Sequence, residues 1–398
     1  MDVRNTKAWE TAKWKYEGLN THTMIPLFGK QLSLEEIIER LEMILKECPQ
    51  FYPALLDLAL RRLALGGERL VEQQIEEGFN LMLELSESEH IDGELDIFLD
   101  NLEKLWRFDL SKYYLDILIE RYPQNALFHD SLAHATARIG DVAGALPHIE
   151  KAVQLEPDNH HFKSNQGWLY LMAGNLKEAD EALESALFLN TDDEVVKGNF
   201  EIHKYLSKHG GNYFDYLLRP VEEERLERLK DEEDWEEMDR MCDSYNNCRF
   251  EAMAQYFLQE NKDEIPRLAD ILATLREFFR FVRKVDQDEY LNEDLDFIYE
   301  YFKPIMHKFI FKFGDIDHKM IEEIYEALLG YYEFLACKGL VSTKKFKRFR
   351  KKILGMKKEL IGKIQRYNAI RHNKDMDEGE KEAIRDNLFE GDHSWPFL

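Results

Sequence analysis

Apolar residues in this chain recur in steps of three and four, and nowhere convincingly in steps of two. Leu34, Ile37, Ile38, Leu41, Ile44 and Leu45 share one helical face. Ser33 opens that helix with Glu36 as its reciprocal capping partner, and Cys48-Pro49 closes it. The same spacing predicts helices over about 245–260, 264–285, 289–313, 317–338 and 343–372. Lys338-Gly339 caps the fourth of these, and Ser342 or Thr343 starts the fifth. With no alternating segment to form a sheet, the expected fold class is all-α.

Between Ala126 and Asp193 the whole pattern repeats over 34 residues. Leu132, Ala133, Thr136, Gly140, Ala145, Ile149, Ala152 and Pro157 fill one block. Gln166, Gly167, Tyr170, Gly174, Ala179, Leu183, Ala186 and Thr191 take the same places in the next. A period of that length marks stacked helix–turn–helix units. Ala133 and Gly167 sit where the first helix of a unit meets its second, and the paired alanines let the second helix pack closely. Gly140 and Gly174 occupy the turn, where a positive φ is cheap only for glycine. Asp92 to Asn125 is in register with these blocks through Leu99, Leu102, Ser111, Leu115, Leu118 and Pro123, although Trp106 replaces the turn glycine. A more degenerate unit runs from Tyr52 through Leu58, Ala59, Gly66, Val71, Ile75 and Gly78, before a polar insertion from Ser86 to His90. Trp9, Trp14 and Tyr16 on an N-terminal helix are expected to cap the open end of the stack.

These blocks resemble the tetratricopeptide repeat family. The expected organisation is a tetratricopeptide-like helical-hairpin solenoid over residues 1–208, clearest at 92–125, 126–159 and 160–193, with a capping helix at 194–208. A linker at 209–220, containing His209-Gly210-Gly211-Asn212, then leads to a C-terminal helical bundle over 221–398. The resemblance implies a concave face, lined by the first helix of each unit, on which a partner's peptide lies. The matching places hold Asp130, His134 and Arg138, then His161, Asn165, Trp168 and Met172, then Asn199. Asn165 and Asn199 take the place where the family often uses Asn to hold a ligand's backbone, an amide offering both donor and acceptor. Trp168 and Met172 would supply apolar contact. The competing reading makes Asn199 a surface polar group and packs Trp168 against a neighbouring helix. The family's basic clamp for a C-terminal carboxylate is not matched, since Asp130, His134 and Val195 stand in its places.

A formal charge of −25 argues against nonspecific binding of nucleic acid or anionic membrane by the whole surface. No apolar run reaches the length of a membrane span, and the first residues lack a signal peptide's apolar core, so a cytoplasmic protein is expected. Four scattered cysteines fit free thiols better than a disulfide framework. Lys338 to Lys374 reverses the charge, with 14 Lys or Arg against one acid, Glu359. Within it Phe346, Phe349, Ile353, Met356, Leu360, Ile364 and Tyr367 form a helical seam. Such a helix is either docked by its seam, with basic residues solvated or facing the acidic segment 222–243, or a contact for nucleic-acid phosphates. In the second reading Lys344, Lys345, Lys347, Arg348, Arg350, Lys351 and Lys352 are the contacts.

Arg366 and His372 have a spacing similar to that of HEPN-type helical ribonucleases, which implies Arg steadying a phosphate and His transferring a proton. Cys242 and Cys248, and the pair His160-His161, lack completing ligands at zinc spacing, so no metal or cofactor is expected. No nucleotide-binding, serine-hydrolase or zinc-protease motif is present. The leading expectation is a non-enzymatic adaptor binding a protein or peptide partner. A nucleic-acid-binding regulator and an RNA-cleaving enzyme are the alternatives.

Overall fold

The computed structural model describes residues 3–24, 32, 34–64, 69–85, 91–261, 264–285, 290–313, 318–371, 373 and 375–389. Ser33, Gly66, the insertion 86–90 and His372 lie outside them. Among the described residues there is no strand, and the fold is all-α. Two compact units divide at Ser111/Lys112, within the stretch read as one solenoid.

The first unit holds α1 (Lys7–Met24), α2 (Leu34–Glu47), α3 (Tyr52–Ala64), α4 (Arg69–Leu85), α5 (Ile91–Lys104) and the start of α6 (Phe108–Arg121). The apolar face of α2 buries Ile37, Leu41 and Ile44 against Ala12 and Leu19 of α1 and Phe51, Ala54 and Leu58. Each large apolar side chain so removed from water contributes roughly 1.5–3 kcal/mol. Trp9 and Tyr16 pack on Phe51 with ring centroids 4.9 and 5.7 Å away, whereas Trp14 points outward, 74% exposed. Trp106 adopts φ +59°, the conformation its place in the repeat demands of glycine. A non-glycine residue there costs about 1–2 kcal/mol, and burial of the indole offsets that cost. Beside it the buried Arg107 is neutralised by Glu72 at 2.7 Å and Asp109 at 2.8 Å.

After the remainder of α6, the second unit holds two helical hairpins, α7 (Ala126–Arg138) with α8 (Val142–Leu155), and α9 (His160–Ala173) with α10 (Leu176–Leu189). On these stacks α11 (Glu194–His209). Asn125, Asp141, Asn159 and Asp193 accept from backbone N–H groups at the starts of α7, α8, α9 and α11. Gly140 and Gly174 turn the chain at φ +91° and +80°. A Cβ on Gly167 would sit 2.5 Å from Leu183 Cγ, so only glycine allows α9 and α10 to meet there.

Gly210 and Gly211, at φ +71° and +90°, then reverse the chain. Asn212 and Asp215 form a capping box that starts α12 (Tyr213–Leu217). The stretch 209–220, read as a linker, therefore contains a helix whose Tyr213 and Leu217 are buried, and which packs on α9 and α11.

Next come α13 (Glu223–Asp231), α14 (Trp235–Glu260), α15 (Ile265–Val285), α16 (Leu295–Phe313), α17 (His318–Cys337), α18 (Thr343–Arg371) and α19 (Glu378–Leu388). α14 starts ten residues earlier than its apolar pattern suggested, capped by Asp234, with Glu236 and Glu237 in its first turn. The seam of α18 is buried on α16 and α17 at Phe346, Phe349, Ile353, Leu360 and Ile364. Phe349 lies 5.2 Å from the Tyr332 ring and 6.0 Å from that of Phe302. The acidic segment 222–243 is not its counterpart. Lys345 and Arg348 pair with Asp296, and Lys357 with Glu322. Glu237, Asp239 and Asp243 instead meet Arg225, Arg240 and Arg283. The seam fixes which surface α18 covers, and that surface carries its own acids.

Candidate partner-binding face

Stacking of α7, α9 and α11 converts the sequence period into contacts. Asn165 Nδ2 donates to Asp130 Oδ1 at 2.9 Å and Oδ2 at 3.1 Å, and Asn199 Nδ2 donates to Ser164 Oγ at 2.9 Å. Each pair is 35 residues apart. The amide donors expected to hold a ligand thus bind the preceding helix, leaving each Asn oxygen as the group a ligand can address.

Around Trp168 the face is covered by the chain itself. Trp168 is buried, and its Nε1–H donates to Tyr213 Oη at 3.0 Å. Tyr213 in turn donates to Glu251 Oε1 of α14 at 2.9 Å, and Arg138 pairs with Glu251 Oε2 at 3.4 Å. The His134 ring stands 5.6 Å from Trp168. Burial, reinforced by the Glu251 charge, drives the Tyr213 hydroxyl well above its ordinary range, so it stays protonated as a donor. Met172 lines an adjoining hollow of about 800 Å³ with Ile139, Phe214 and Leu258. Trp168 therefore packs against a neighbouring helix, as the competing reading had it. Sequence reasoning missed Tyr213 and Glu251. Two glycines followed by Asn-x-x-Asp were the available signal for a reversal and a helix start.

The first unit presents an open groove of about 480 Å³ between α1, α3 and α5. Its apolar lining includes Leu56, Leu60, Ile97 and Phe98. Tyr52 Oη donates to Glu94 at 2.8 Å, and Arg61 Nε to Asp57 at 2.7 Å. Burial, then the charge of Asp57, pushes the Tyr16 hydroxyl up to about 12. Ile97 remains 64% exposed. It stands two periods before Asn165, so the repeat register pointed to it.

Residues 140–198 match the family model for the tetratricopeptide repeat. This segment is built of tetratricopeptide repeats. No curated protein matches the chain by sequence. Among solved structures, the chain is similar to a MamA RS-1 ArsTM double mutant at 15% identity and TM-score 0.34, covering 46% of this chain and 97% of that one. It is also similar to the tetratricopeptide domain of P58(IPK) at 13% identity and TM-score 0.23, covering 88% and 98%. At that distance these structures add nothing about the site.

Away from the tetratricopeptide segment, Lys344, Lys345, Lys347, Arg348, Arg350, Lys351 and Lys352 are all exposed. Lys352 donates to the Tyr299 carbonyl at 3.1 Å and lies 3.7 Å from that ring's centroid. Arg366 is exposed on α18, while His372 lies outside the described residues. Cys242 and Cys248 are free thiols. No described helix is long and apolar enough to cross a membrane.

Proposed function

We propose that this protein is a non-enzymatic adaptor holding a peptide segment of a partner protein against its repeat helices. The supporting observation is the groove of the first unit, where the exposed Ile97 extends an apolar floor rimmed by Glu94, Arg61, Asn101 and Lys104. Apolar burial supplies affinity there, and the polar rim orients the peptide. On the stacked helices α7, α9 and α11 the proposed contacts are Asp130, His134, Arg138, His161, Asn165, Trp168, Met172 and Asn199. Those around Trp168 lie under α12, so contact there requires α12 to be displaced. Affinity purification from the native host, with and without nuclease, identifies the partner. Capture is then compared for Ile97→Asp and for Asn165→Ala with Trp168→Ala and Asn199→Ala. Loss in either variant supports the adaptor, and full capture by both refutes it.

A second reading rests on α18. Lys344, Lys347 and Lys351 form no ion pair among the described residues and lie opposite the buried seam. Such a stripe suits a phosphate backbone, and binding to it weakens steeply with added salt. Titration with nucleic acid at two salt concentrations separates this from the adaptor.

A further inference from the structure

The sequence offers His160-His161 without a third ligand, but the fold supplies one from the next repeat. Asp193 caps α11, with Oδ1 accepting from the Val195 and Val196 N–H groups at 2.9 and 3.0 Å. Its other oxygen, Oδ2, lies 3.2 Å from His160 Nε2 and 3.6 Å from His161 Nδ1. One ligand atom from each residue falls within 4.8 Å of the other two. Two bonds of about 2.0–2.1 Å at a tetrahedral angle hold their ligand atoms roughly 3.3–3.4 Å apart. Both observed separations lie close to that value.

We propose that His160 Nε2, His161 Nδ1 and Asp193 Oδ2 form a binding site for a divalent transition-metal ion of the zinc and cobalt class. Two neutral imidazoles and one carboxylate are the donor set such ions take, and three protein ligands leave a position open to water. Second contacts hold the ligands in place. The Val195 and Val196 N–H groups of α11 fix the orientation of the Asp193 carboxylate. The Asn190 amide stands 3.2 Å from His160 Nε2, where it can turn to a water on the metal. Entry is open, because the His161 side chain is 57% exposed and both histidines border a surface hollow of about 510 Å³. The bound ion would tie the starts of α9 and α11 together and fix the spacing of two successive repeats. It would also set His161, one of the proposed partner contacts, as a ligand.

The test is titration of the full-length reduced protein with cobalt(II) and then zinc(II). The expected result is one equivalent of cobalt, with a tetrahedral ligand-field spectrum lacking a thiolate charge-transfer band, and displacement by zinc. Zinc should raise the melting temperature by binding the folded state alone. Asp193→Asn keeps a good N-cap while removing the charged ligand, and it should weaken cobalt binding at least tenfold with little change in metal-free melting. His160→Ala with His161→Ala should abolish it. A thiolate band, binding unchanged in either variant, or no saturable binding by the native protein would overturn the assignment.

Discussion

The two compact units treat the same helical face in opposite ways. In the first, α1, α3 and α5 leave a groove with an exposed isoleucine. In the second, the corresponding helices are partly covered by α12 and α14, and Trp168 is hydrogen-bonded rather than exposed. A repeat stack does not by itself decide whether its inner face is vacant. That depends on what the chain does after the last repeat, here a double-glycine reversal that returns Tyr213 onto α9.

The largest effect should come from uncovering the second unit. Tyr213→Ala is expected to cost about 3–5 kcal/mol, the range for deleting a large buried aromatic side chain. Tyr213→Phe should cost about 1–3 kcal/mol by leaving the Trp168 N–H and Glu251 short of a partner. Urea denaturation with tryptophan fluorescence measures both, and unchanged midpoints would mean that α12 does not hold the face. Next, Gly167→Ala should cost about 1–3 kcal/mol through the clash with Leu183. Gly198→Ala, which meets no neighbour within 4 Å, should instead stabilise α11 by roughly 0.5–1 kcal/mol. Equal melting shifts for the two would contradict the close approach of α9 and α10.

In the first unit, Ile97→Asp should leave stability within about 0.5 kcal/mol, as for most exposed positions. It should nevertheless weaken partner capture about tenfold, or about 1.4 kcal/mol. A normal binding isotherm would move the partner to another surface. The smallest effect concerns acid. His148 is held below its ordinary pKa by burial, then by His129, whose Nδ1 lies 3.4 Å from its own. The unfolded chain therefore takes up that proton first, near pH 6.5. His148 contributes stability that is complete above this pH and is lost as pH falls through the lower folded value. Melting temperatures taken between about pH 7.5 and 5.5 should fall less steeply for His148→Gln than for the native protein.

Local rules made much of the fold legible. The three-four spacing of Leu34 to Leu45 gave α2, and the seam from Phe346 to Ile364 gave the buried face of α18. The 34-residue period located the turns at Gly140 and Gly174, and even Trp106 adopted a glycine's conformation there. Tertiary partners were less legible. The family pattern assigns Asn165 and Asn199 to a ligand, yet their acceptors Asp130 and Ser164 lie 35 residues back, on α7 and α9. A step of 34 residues lands one short of Asn165 and Asn199 and one beyond Asp193, so the period aligned the helices without naming these pairs. Glu251 lies 38 residues from Tyr213 and belongs to no repeat, so no pattern announced it. The charge of α18 misled because long-range attraction between segments is weak in water, whereas apolar seams choose the surface and the nearest acids follow.

The link from Trp168 through Tyr213 to Glu251 also has a consequence in time. Hairpins such as α7–α8 and α9–α10 are local and close as soon as their residues leave the ribosome. Their cover waits for α14, more than 80 residues behind Trp168 in the chain. At a synthesis rate of about 5–20 residues per second, that is a delay on the order of ten seconds. During it the nascent repeats carry the Trp168 indole without its hydrogen bond to Tyr213 and the Glu251 beyond it. A chaperone or an early partner has that interval in which to reach a surface that the finished protein keeps covered.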